Sequence, residues 1–178
     1  MARYSQKNIA RLLYESDSTS NTDIKGAKLE ELVKYLFDKV SGVSYYSSDI
    51  VDNEGAQELD VIFSNDIRNS DLYFLDFIII TECKNTDHRT GSRDIRWFID
   101  KLKDRGVKTG ILVSLNGITG VAHKGKNAHS EIINALNRDG IKVLVISREE
   151  ILAFSDTNDL ARVLKQKIMK LTIERTIV

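Results

Sequence analysis

Two apolar stretches carry charges where chemistry needs them: Glu58-Leu59-Asp60-Val61-Ile62-Phe63, and Phe77-Ile78-Ile79-Ile80-Thr81 running into Glu82-Cys83-Lys84. In an extended chain successive side chains alternate between faces, so Glu82 and Lys84 point one way and Cys83 the other. Ile78, Ile79 and Ile80 make the preceding run apolar on both faces, as in a strand covered on both sides, so the charged pair sits where hydrophobic burial ends. Carboxylates at such a place call for a compensating charge. Mg²⁺, a hard cation, prefers oxygen ligands and is commonly held by one or two carboxylates plus a substrate phosphate. Asp60 and Glu82 could be those carboxylates, leaving Lys84 to orient an attacking water or to offset charge developing on a phosphate. That chemistry is metal-assisted phosphodiester hydrolysis. A Glu-x-Lys at a strand end also arises as a solvated ion pair, so the surroundings must separate the two readings. Glu58 shares a face with Asp60, either to support the metal ligands from behind or to pair with a surface lysine. The polar connector Ser64 to Asp71 suits a hairpin-like antiparallel pair.

The elements that must position these residues follow from periodicity. Leu29, Leu32, Val33, Leu36, Phe37 and Val40 recur as one buried helical stripe, with Thr22 or Asp23 as a cap. Glu30 falls at the edge of that stripe and looks toward the sheet, whereas Glu31 falls roughly opposite and is solvated. Ahead of it, an amphipathic helix over Ser5 to Tyr14 precedes a polar loop, Ser16 to Asp23, that reads as a hinge. Strands are expected at Val43 to Val51, Glu58 to Phe63 and Leu72 to Lys84, with a turn at Asp52-Asn53-Glu54-Gly55. A helix over Asp94 to Arg105 buries Ile95, Phe98, Ile99 and Leu102. A strand over Val107 to Ser114, a helix over Thr119 to Asn137 capped by its threonine, and a strand over Ile141 to Ile146 complete the order αβββαβαβ. Two further helical stretches and an apolar end, Leu171-Thr172-Ile173, follow Arg148 and pack on the core or on a second subunit.

Taken in order, these residues resemble the PD-(D/E)xK nuclease superfamily, and within it the branch of Mrr-like restriction endonucleases and Holliday-junction resolvases. The resemblance covers roughly Gly26 to Ile146: Gly26-Ala27-Lys28-Leu29-Glu30 opening a helix, Glu58-Leu59-Asp60-Val61, Glu82-Cys83-Lys84, then Gly110-Ile111-Leu112-Val113-Ser114 and Gly117-Ile118-Thr119-Gly120-Val121-Ala122. It implies an α/β restriction-endonuclease-like αβββαβ core, a central mixed sheet flanked by helices. It also implies that Asp60 and Glu82 bind the metal, that Lys84 is the catalytic lysine and that Glu30 is the helix acid completing the site. The implied activity is Mg²⁺-dependent hydrolysis of DNA, with Mn²⁺ as a substitute. Leu59 stands where relatives often have a turn residue before the aspartate. No glutamine lies between Asn85 and Arg105, where many relatives place one, so that role is left unassigned.

Composition bounds the remainder. At 178 residues and 42% hydrophobic, the chain holds one substantial core with short additions. The expected division is an N-terminal helical arm (1–22), a nuclease core (23–147) and a C-terminal helical extension (148–178). Charge is balanced at 26 basic and 26 acidic residues, so any attraction for nucleic acid must be local. Local candidates are Arg89 with Arg93 and Arg96, the run Lys101-Lys103-Arg105-Lys108, and His123-Lys124-Lys126, although each reads more simply as a solvated helix face. Cys83 is a small buried core residue of a reducing compartment. His88, His123 and His129 lack the partners and spacing of a zinc site. With no apolar run long enough to span a bilayer and no signal-peptide core, a cytoplasmic location without a membrane partner is expected. Double-strand cleavage by one small domain implies a homodimer, to which the N-terminal arm is a candidate contributor, and leaves room for a separate specificity subunit. A junction resolvase and a non-catalytic DNA-binding or assembly module on the same fold are the rival readings.

Overall fold

The computed structural model describes residues 1–51, 57–120 and 127–177. Five strands form one sheet in the order β1 (Val43–Val51), β2 (Glu58–Asn65), β3 (Ile78–Lys84), β4 (Thr109–Ser114), β5 (Lys142–Ile146). The β1–β2 and β2–β3 pairs are antiparallel, whereas β3–β4 and β4–β5 are parallel. Parallel neighbours need crossovers, here supplied by helix α3 (Ser92–Asp104) and by the segment containing α4 (Ala128–Asp139). This mixed α/β sheet matches the restriction-endonuclease-like expectation.

Helices cover both faces. On one, α2 (Thr22–Phe37) buries Leu29, Leu32, Val33, Leu36 and Phe37, and Phe37 stacks on Phe63 of β2 with ring centroids 5.1 Å apart. On the other, α3 buries Ile95, Phe98, Ile99 and Leu102 against β4. Gly110 makes that approach close, because a Cβ there would lie 2.5 Å from Leu102 Cδ1 and 2.7 Å from Phe98 Cζ.

Helix α1 (Gln6–Asp17) packs on α2 and buries Ile9, Leu12 and Leu13. The expected hinge shrinks to the few residues between Asp17 and Thr22, because Ser16 is buried and donates to the Lys25 carbonyl. Asn21, rather than Thr22 or Asp23, caps α2 by accepting from the Asp23 and Ile24 amides. The start of the chain is tied to later elements: Arg148 donates to Asp17 from both terminal guanidinium nitrogens, and Tyr4 donates to the Leu36 carbonyl at 2.8 Å. Beyond β5, α5 (Arg148–Ala153) and α6 (Thr157–Met169) lead into one π-helical turn, Lys170–Glu174, and Leu160, Leu164, Leu171 and Ile177 are buried.

Two sequence-based boundaries are corrected. The expected strand from Leu72 begins only at Ile78, because the Asn65 side-chain Nδ2 donates to the carbonyls of Leu72, Leu75 and Asp76 and folds that stretch into turns. Of the helix expected from Thr119, the described part is Ala128–Asp139, capped by Asn127, whereas Thr119 and Gly120, the latter with φ 101°, are not helical and residues 121–126 lie outside the described residues. The turn at Asp52 to Gly55 and the patch His123-Lys124-Lys126 lie outside the described residues.

Candidate active site

The β2–β3 ladder ends at the Val61–Thr81 pair. One step further, the same register sets Asp60 opposite Glu82, and ladder bonding gives way to a side chain: the Cys83 amide donates to Asp60 Oδ2 at 2.7 Å. Strand alternation then places Asp60, Glu82 and Lys84 together on the α3 face, with Cys83 buried on the other. Lys84 Nζ lies 2.9 Å from Glu82 Oε1.

Glu82 is only 2% exposed, and its second oxygen takes another cation, Lys101 Nζ of α3 at 2.6 Å. Lys101 is buried, which corrects the expectation that its run forms a solvated helix face. The rest of that run does lie nearer solvent: Lys103 pairs with Asp139 at 3.2 Å, and Arg105 donates to Gln57. Arg89 and Arg93 are exposed or nearly so, and Arg96 pairs with Glu131.

Electrostatics tie the acids into one group. Burial and the neighbouring Glu82 charge push the Asp60 carboxyl up to about 6, against the pull of the Cys83 amide and of Lys84 and Lys101. Glu30 of α2, half-buried, is pushed up to about 7 by burial, then by Asp49 and Asp60. Burial draws the Lys84 ammonium down, but the Glu82 charge and hydrogen bond and the Asp60 charge outweigh it and hold it above its ordinary value. Asp49 is a further acid that the sequence pattern did not disclose. It stands on β1 between residues paired with Val61 and Leu59, hence level with Asp60, and its φ of 53° is a left-handed conformation that aspartate tolerates better than most. Glu58 is exposed at the start of β2, within electrostatic reach of Glu30. Glu31 is solvated as expected, pairing with Lys28 at 2.9 Å.

The structure thus brings Asp60, Glu82 and Lys84 together, sets Glu30 in the same field and adds Lys101 and Asp49. A fold of this topology with two carboxylates and a lysine at the end of a central antiparallel pair is of the restriction-endonuclease-like α/β class. A model of the Mrr catalytic-domain family, described as restriction endonuclease, matches residues 22–145. The chain belongs to that nuclease family. No curated protein matches it. Among the described residues no helix is long and apolar enough to cross a membrane.

The donor set suits a divalent cation. Asp60 and Glu82 offer hard oxygens from adjacent strands, and the penalty that burial and then the Glu82 charge place on the ionised Asp60 carboxyl is what a cation between them would relieve. Among the described residues, no group of three or more His, Cys, Asp or Glu is gathered into a ready cage, so water or substrate oxygens would complete the coordination.

Proposed function

We propose that this chain is an endodeoxyribonuclease that hydrolyses DNA phosphodiester bonds with Mg²⁺, replaceable by Mn²⁺, held by Asp60 and Glu82. The observation that carries this reading is the meeting of Asp60, Glu82 and Lys84 at the open end of the β2–β3 ladder. The cation, when bound, supplies Lewis-acid polarisation of a phosphate oxygen and a lowered pKa for a coordinated water. The residues of the chain do the rest. Lys84, less buried than Glu82, turns its ammonium from Glu82 to the reacting phosphate and offsets the charge that builds there. Glu30, with its carboxyl near neutrality, takes up or returns a proton at the edge of the site. Asp60 and Glu82 keep the site electron-rich and oriented, with Asp60 fixed by the Cys83 amide.

The substrate is double-stranded DNA, and the active form is a homodimer that brings one site to each strand. Incubation of supercoiled plasmid and of a synthetic four-way junction with Mg²⁺, Mn²⁺ or EDTA tests the reading. Metal-dependent cutting of plasmid supports it, preferential cutting of the junction makes the chain a resolvase, and metal-dependent cutting of neither contradicts it. Sedimentation that shows a monomer both free and on DNA refutes the dimer.

A further inference from the structure

Lys101 is the buried charge that the proposed chemistry leaves unused. Its side chain is 4% exposed, against 29% for Lys84, and both ammonium groups pair with Glu82, one on each oxygen. Two carboxylates, Asp60 and Glu82, are therefore matched by two lysines before any divalent cation arrives. The lysines are not equivalent. Lys84 stands at the strand end, where its partly exposed ammonium can exchange Glu82 for solvent or substrate. Lys101 lies in the interior on a helix that Gly110 lets settle onto the sheet, and withdrawing it from Glu82 would bury an unpaired ammonium. A cation entering between Asp60 and Glu82 must share Glu82 with a fixed positive charge, and at short range in a partly buried site that repulsion is strong.

We propose that Lys101 is a positioning residue that holds Glu82 through Oε2 and, as a fixed buried cation, keeps the affinity of the free protein for a divalent metal low. This rests on the nuclease reading, which makes Asp60 and Glu82 the metal ligands. Lys84 is the exchangeable partner of Glu82 and Lys101 the permanent one.

The test is Mn²⁺ binding to the full chain without DNA, read by calorimetry and by the electron paramagnetic resonance of free Mn²⁺. The proteins compared are wild type, Lys101→Met, Lys101→Gln and Lys101→Arg, each with and without Glu82→Gln to identify the site. Both neutral variants are expected to bind Mn²⁺ tighter by about tenfold or more, with Lys101→Arg close to wild type and Glu82→Gln abolishing binding throughout. Weaker or unchanged Glu82-dependent binding in the neutral variants, with only a lower Tm, gives Lys101 a structural role and overturns the proposal. Should Lys101→Met not fold, Lys101→Gln, which can still donate to Glu82, carries the comparison. A wild-type chain that takes Mn²⁺ in the micromolar range without DNA contradicts the proposal with no variant needed. If no variant binds Mn²⁺ even at millimolar concentration, the metal-site reading itself falls, and this inference with it.

Discussion

Replacing Asp60 with asparagine should make the metal-free protein more stable, although Asp60 is a proposed metal ligand. Asparagine keeps the shape and an oxygen for the Cys83 amide while removing the charge that faces Glu82. In the fold the Asp60 carboxyl is displaced from 3.8 to about 6, burial being the larger cause and Glu82 the next. That displacement corresponds to about 3 kcal/mol of penalty on the ionised form, which screening at this partly open position reduces to about 1–3 kcal/mol. The sign follows from the folded pKa lying above the unfolded one: the penalty is complete at pH 8, shrinks to roughly half near pH 5 and disappears below about pH 4. Glu30, raised to about 7, acts in the same direction and starts to relax at a higher pH. Thermal unfolding in EDTA should therefore show Asp60→Asn melting about 3–10 °C above wild type at pH 8 and the gap narrowing at pH 5. An Asp60→Asn protein no more stable than wild type at pH 8, or one with the same gain at both pH values, would refute the idea that the fold penalises the ionised Asp60 carboxyl through burial and the Glu82 charge.

Other outcomes can be checked beside it. Gly110→Ala places a methyl group 2.5–2.8 Å from Leu102 and Phe98, so α3 must shift; a loss of about 1–3 kcal/mol is expected in urea unfolding, with a fall in cleavage rate as Lys101 is carried away from Glu82. Asn65→Ala strips the turn before β3 of a donor shared by three carbonyls and should cost about 2–3 kcal/mol by the same measurement. Saturating Mg²⁺ should raise the Tm of wild type at pH 8 and have little effect on Asp60→Asn, because only a ligand bound to the folded state stabilises it.

What the sequence disclosed and what it withheld differ in physical kind. Asp60, Glu82 and Lys84 were legible because charges at the end of a doubly buried run are too costly to leave uncompensated, and the period-two pattern already put Glu82 and Lys84 on one face. Glu30 followed from its place at the edge of the α2 stripe. Lys101 was not legible: on α3 it falls outside the stripe of Ile95, Phe98, Ile99 and Leu102, and its burial is a tertiary effect of Glu82 and of the close approach that Gly110 permits. The usable signal was charge balance, since two acids at the end of an apolar strand pair and one lysine leave a negative charge to be matched. The start of β3 was misplaced because Leu72 and Leu75 are apolar enough to read as strand, yet they are buried in turns tied to Asn65, an interaction that periodicity cannot register. Asp49 was missed for a similar reason, because its nearness to Asp60 depends on the register of β1 against β2, set by a bulge at Tyr46.

The role assigned to Lys84 depends on whether it acts on the reacting phosphate or serves only as the ion-pair partner of Glu82. The measurement that decides it is the single-turnover cleavage rate of Lys84→Ala against wild type, on whichever DNA substrate wild type cuts, at saturating Mg²⁺ and with DNA binding measured in parallel. A fall of about 10²–10³-fold in rate with DNA affinity nearly unchanged is the expected result. A variant that cuts at the wild-type rate would show that the lysine takes no part in the chemistry, contrary to the role assigned to it.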